Sequence, residues 1–127
     1  MHAYCTYCSW RKKLGEEPLP ALERYDSDRI RAVHAASDAA GKTLYILSGA
    51  FGLLAPDEPI PWYDHLLTDE EVESLSSRVG NQLQRFGVSL LVYFTAPVTA
   101  EPAVEPYQAT IVQACRIAQV ALEINEL

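Results

Sequence analysis

No stretch of the chain approaches the ~20 consecutive apolar residues that a membrane-spanning helix needs, so no membrane partner is expected. Cysteine is sparse and odd in number, with three thiols in 127 residues. The opening Met1-His2-Ala3-Tyr4-Cys5 lacks the basic and then apolar pattern of a secretory leader. Reduced thiols and a cytoplasmic location are the expectation. A metal site is also short of ligands. Cys5 and Cys8 have the spacing of a zinc knuckle, but no second Cys-x-x-Cys or His-x-x-x-His follows. Two ligands do not close a tetrahedral site, and positions 5 and 8 of one strand point to opposite faces. His2, His34, His65 and Cys115 are scattered, so neither metal nor cofactor is expected. The Gly-x-x-x-x-Gly-Lys phosphate loop is missing. Positive charge is scarce in the second part of the chain. Residues 1–42 hold seven Lys/Arg against six Asp/Glu, whereas residues 43–127 hold three against eleven. With a net charge of −7, non-specific duplex-DNA binding is disfavoured, because phosphate neutralisation supplies most of that affinity.

What is present is an ordinary globular composition, 49% apolar and 21% charged, in a chain long enough for one domain with a real core. Residues 2–8, rich in aromatic and Thr residues, read as a first strand. Gly15, Pro18 and Pro20 make 9–26 a long loop. Asp26 or Ser27 caps a helix at about 28–40, whose Ile30, Val33, Ala36 and Ala40 recur at helical spacing before Gly41. Residues 43–48, Thr-Leu-Tyr-Ile-Leu-Ser, form a second strand buried on both faces. Breakers fill 49–67. Thr68-Asp69-Glu70-Glu71 is a capping box that opens a helix striped by Val72, Leu75, Val79, Leu83 and Phe86. Val88 to Phe94 is a third strand. A third helix starts near Glu105 or Pro106, and the tail around 120–124 either continues it or forms a fourth strand.

The alternation implies an α/β fold: a three-layer, mainly parallel, Rossmann-like sheet of three to four strands with helices on its faces, in a single domain spanning 1–127. Ligands bind outside the carboxyl ends of such strands. Three segments meet that edge: Cys8 to Lys13, Ser48 to Asp64, and Thr95 to Pro97. In the first, Ser9, Arg11 and Lys12 offer a hydroxyl and two cations to an anion. In the second, Ser48 offers a hydroxyl, and Gly49 and Gly52 permit close backbone approach. Trp62 and Tyr63 supply aromatic faces, and Asp64 accepts a hydrogen bond or acts as a base. A Cys8–His65 nucleophilic pair would meet at the same edge, but nothing in the spacing demands one.

Two blocks, Cys8-Ser9-Trp10-Arg11-Lys12 and the run from Ile46 to Leu54, followed by Ile60-Pro61-Trp62-Tyr63-Asp64, give the chain a family likeness. Over about residues 4–95 it resembles the YaaA-like peroxide-stress proteins and, more distantly, accessory domains of tRNA-guanine transglycosylase relatives. The resemblance implies an α/β fold and a nucleic-acid or nucleotide connection, and its recurrent polar positions fall on Ser9, Arg11, Lys12, Ser48, Gly52, Tyr63 and Asp64. The leading expectation is an uncharacterised domain that binds a nucleotide, nucleobase or other phosphorylated ligand, with a single strand of nucleic acid as a further partner. Asp64 would be the catalytic base if hydrolytic or glycosidic chemistry follows. The alternative is a non-catalytic assembly module in nucleic-acid or stress metabolism.

Overall fold

The computed structural model describes residues 1–127. Its centre is a mostly parallel sheet of five strands. β1 is His2–Tyr7, followed by a two-residue strand β2, Leu19–Pro20, and the short helix α1, Ala21–Arg24. Helix α2 is Asp28–Ala40. β3 is Thr43–Ser48, β4 is Gly52–Leu54 and β5 is Pro59–Ile60. Helix α3 is Val72–Arg85, β6 is Leu90–Thr95, helix α4 is Glu105–Ala118 and β7 is Ala121–Glu126.

Across the main sheet the order is β4-β3-β1-β6-β7. β3, β1, β6 and β7 run parallel, and β4 is antiparallel to β3. β2 and β5 form a separate antiparallel pair. The sheet therefore has one strand more than the upper end of the three to four expected from the sequence. The extra strand comes from a hairpin inside the Gly- and Pro-rich stretch. Ser48 Oγ accepts from the amides of Ala50 and Phe51, both at 3.1 Å, and so tightens the turn. Gly52 then takes φ +75°, which only glycine adopts readily, and returns the chain along β3. The loop 9–26 likewise contains β2 and α1, because its backbone pairs with residues 56–60.

The helix signals act as the sequence suggests. Ser27 Oγ accepts from Ile30 N at 3.2 Å, and Gly41 ends α2 in the left-handed region. Glu71 Oε1 accepts from Thr68 N and Oγ1 at 3.1 and 3.0 Å. The first turn there, Asp69–Glu71, is a 3₁₀ turn that leads into α3. Val72, Leu75, Val79 and Leu83 are all buried, as their stripe requires. α3 packs along α4 at Gly80, where a Cβ would lie 3.1 Å from Ile117 Cγ2 and 3.3 Å from Ala114 O. The third strand starts at Leu90 rather than Val88 and runs to Thr95. The ambiguous tail is a strand. Gln119 at φ 57° stops α4, and the chain turns back to pair with β6.

Candidate functional site

Strand order singles out one place on the carboxyl edge. From β1 the chain crosses to β3 on one side, and from β3 it crosses to β6 on the other. A crevice opens between β1 and β6 at such a reversal. A cleft of about 330 Å³ is found there, lined by Tyr7 at the end of β1 and by Cys8, Ser9 and Trp10 after it, by Ser27 and Arg29 at the start of α2, and by Glu101 and Tyr107 around the start of α4. His65 and Leu66 close one wall.

Arg29 organises the base of the cleft. Its Nη1 donates to Thr6 Oγ1 at 2.6 Å and to Tyr7 O at 2.8 Å, and its Nη2 donates to Cys8 O at 3.2 Å. Thr6 Oγ1 in turn donates to Phe94 O at 2.9 Å, so the guanidinium ties β1 to β6. These bonds leave Nε–H and one Nη2 N–H without a protein acceptor. The guanidinium carbon lies 3.5 Å from the centre of the Tyr7 ring. Burial lowers the Arg29 pKa from its ordinary value, yet an arginine keeps its charge. The first turn of α2 adds its positive dipole end. Glu101 is the opposing charge on the wall, and it raises the pKa of the Tyr7 phenol less than burial does.

On the other wall His65 Nε2 lies 2.7 Å from Glu71 Oε2. Glu71 is the same carboxylate that receives the Thr68 bonds, and its hydrogen bond from the Thr68 backbone holds its pKa below the ordinary value. Tyr107 OH accepts from Leu67 N at 3.3 Å and lies 3.8 Å from Cys8 Sγ.

The residues singled out from the sequence divide between two sides of this edge. Ser9 lines the open cleft, with its hydroxyl donating to Arg11 O at 2.7 Å. Arg11 itself is exposed and makes no ion pair; the Asp28 carboxyl is held below its ordinary pKa mainly by Arg31, with Arg11 adding a smaller pull. Lys12 turns the other way. Its Nζ donates to Trp10 O at 3.3 Å and sits 4.5 Å from the Tyr63 ring centre. Burial lowers its pKa, while Cys8 and Asp64 pull it back up. Ser48 Oγ is 2.9 Å from Tyr63 OH, and Tyr63 OH also bonds Tyr25 OH. Burial raises the pKa of both phenols. Gly49 packs under His65, Leu67 and Tyr107, where a Cβ would lie 3.2 Å from Leu67 Cβ. Gly52 faces Gln82, whose amide brackets both backbone groups of Leu53. Asp64 is exposed beside Lys12, and Trp62 is exposed outside the cleft.

The structure thus joins Lys12, Ser48 and Tyr63 in one cluster on the β3 side, closed by Tyr25. The cleft on the β6 side gathers Ser9 with residues the sequence did not single out for ligand binding: Tyr7, Trp10, Arg29, Glu101 and Tyr107. One signal for Arg29 was present. In a βαβ unit the first turn of the crossover helix faces the end of the preceding strand, and Arg29 is the first cation of that helix. Compared with known proteins, the chain matches no family model, no curated protein and no solved structure.

Proposed function

We propose that the β1/β6 cleft binds a small phosphorylated ligand of nucleotide type, with Arg29 rather than Arg11 as the anion fork. The observation that carries this reading is the pair of unused Arg29 donors at the base of a cleft on the topological switch point. Right-handed crossovers then set α2 on one face of the sheet and α3 with α4 on the other, completing a three-layer, Rossmann-like arrangement. The Trp10 ring on the rim is 84% exposed and offers a stacking face for a base. The Ser9 hydroxyl and the amides at the start of α2 complete the polar lining. The likeness to YaaA-like proteins, with its nucleic-acid connection, points to the same ligand class. Asp64 is outside the cleft lining, so this reading assigns it no catalytic step.

A thermal-shift series with nucleobases, nucleosides, nucleotides and short single strands tests this. A ligand at a hundred times its dissociation constant adds about 2.7 kcal/mol of stability. Nucleotides should raise the melting temperature where nucleosides without phosphate do not. A flat response across the series would instead favour the assembly-module reading, for which the exposed Trp10 and Leu66 on the cleft rim provide a surface.

A further inference from the structure

The two edges of the main sheet are finished differently. β4 forms one edge, and the Gln82 side chain closes it. Leu53 N donates to Gln82 Oε1 at 2.8 Å, and Gln82 Nε2 donates to Leu53 O at 3.1 Å. β7 forms the other edge and has a strand on one side only. Ala121 N and Leu127 N donate inward to Ser89 O and Thr95 O. Backbone groups alternate between the two sides of a strand, so those of Leu122, Ile124 and Glu126 point outward, and an open edge of this kind is a template for another strand. Ile124 pairs with Tyr93, and Tyr93 with Cys5. Leu122 and Ile124 therefore share a face with Cys5 and Tyr7, whose ring lies 6.0 Å from that of Tyr107 on α4. Ile124 stays 39% exposed there. α4 touches both β6 and β7, and α3 runs along its inner side at Ser76 and Gly80. On the opposite side Glu105, Ala109, Val112 and Arg116 form a stripe that lines a groove with Val98. Glu105 and Arg116 are exposed at the two ends of the stripe, and neither makes an ion pair within the chain.

We propose that this edge joins two copies of the chain in a two-fold dimer: β7 pairs antiparallel with β7 of the second copy, and α4 packs antiparallel along the second α4. The inference is independent of the ligand reading above. Charge selects both the occupant and the register. A two-fold axis at Ile124 sets the two Ile124 side chains against each other and places Glu123 opposite Asn125 of the other copy. An axis at Glu123 would instead oppose two like charges. On α4, an axis between Ala109 and Val112 sets these two against each other across the interface and pairs Glu105 with Arg116 of the other copy, twice. One axis serves both elements. Ile124 lies about 10 Å along the strand from Ala121, and the centre of the α4 stripe lies about 11 Å along the helix from Ala118. α4 ends and β7 begins at the same end of the sheet, so the two centres fall at nearly the same height. The lateral spacing also agrees. A helix seated over the β6–β7 pair stands about 5 Å from an axis half a strand spacing outside β7, so the two α4 axes lie about 10 Å apart, an ordinary packing distance.

Sedimentation velocity of the protein over a micromolar concentration series tests this, and a species of twice the chain mass is expected. Ile124→Pro removes one outward N–H that β6 does not use, and it should give a monomer with the circular dichroism of the wild type. Arg116→Glu puts like charge opposite Glu105 of the other copy and should raise the dimer dissociation constant by on the order of tenfold. Adding Glu105→Arg to that variant should restore the dimer. Within one chain the two positions are about 16 Å apart along the helix, so the restoration reads a contact across the axis and not a repair of the fold. A monomer at every concentration overturns the proposal and leaves the β7 edge to a strand of another protein. A dimer that survives both Ile124→Pro and Arg116→Glu has its interface elsewhere and overturns it as well. If Arg116→Glu weakens the dimer and Glu105→Arg does not restore it, the α4 pairing fails and the shared axis falls with it.

Discussion

The two sides of the carboxyl edge use similar residues and end differently. On the β3 side, Tyr25, Tyr63 and Ser48 bond one another under Lys12, and the backbone of 11–13 and 19–22 fastens to 24–26 and 56–60. Arg24 lies fully buried at the centre of this loop bundle and donates to the carbonyls of Lys13 and Glu17. The polar groups here are largely turned on one another, and the loops plug the strand ends. On the β6 side, Arg29, Cys8 and Tyr107 are also hydrogen-bonded, but Arg29 keeps two donors and the wall stays open. Residue type therefore does not separate a plug from a site. What separates them is whether the partners come from the protein itself.

The largest effect that would sharpen this contrast is expected in alkali. Tyr25, Tyr63 and Tyr107 have pKa values raised above the ordinary 10.0 by burial. The unfolded chain ionises its tyrosines as pH passes about 10, whereas the folded chain holds them protonated. Their contribution is fully present below that pH and is lost as pH rises through the folded values. Lys12, lowered by burial, works in the opposite direction between its folded value and its ordinary 10.5, and offsets part of the loss. Unfolding followed by tyrosinate absorbance should be cooperative in wild type. Gradual ionisation with the fold intact would show that the plug is not closed.

Tyr25→Ala should cost about 3–5 kcal/mol in denaturant unfolding, as truncation of a fully buried aromatic does. Tyr63→Phe removes only the hydroxyl shared by Ser48 and Tyr25 and should cost about 1–3 kcal/mol. A cost near zero for Tyr63→Phe would place that hydroxyl among ligand contacts instead of structural ones. The smallest stability effect belongs to the open side. Trp10→Ala should change stability by less than about 0.5 kcal/mol and should still weaken the nucleotide-dependent thermal shift. An unchanged shift would remove the stacking role from Trp10.

Much of the fold is legible along the chain because its signals are local. The Ser27 cap, the Gly41 stop and the Thr68–Glu71 pairing each act within one helical turn. The strand runs at 43–48 and 90–95 are apolar on both faces, as strands covered on both sides must be. β4 was illegible because a three-residue strand has too little pattern, and its existence depends on the Ser48 turn and the φ of Gly52. The tail was undecided because Gln119 is not a residue type that marks a left-handed stop.

The candidate site shows the same division. The alternating α/β order, the strand ends where polar residues collect, and the presence of Ser9, Lys12, Ser48 and Tyr63 at that edge are legible along the chain. Which of these face a cleft and which face one another is set by long-range packing. That choice depends on the order β4-β3-β1-β6-β7, which sets the crevice between β1 and β6, and on the packing of two loops far apart in sequence over the β3 side. Both are long-range pairings, and no residue pattern within either segment encodes its partner.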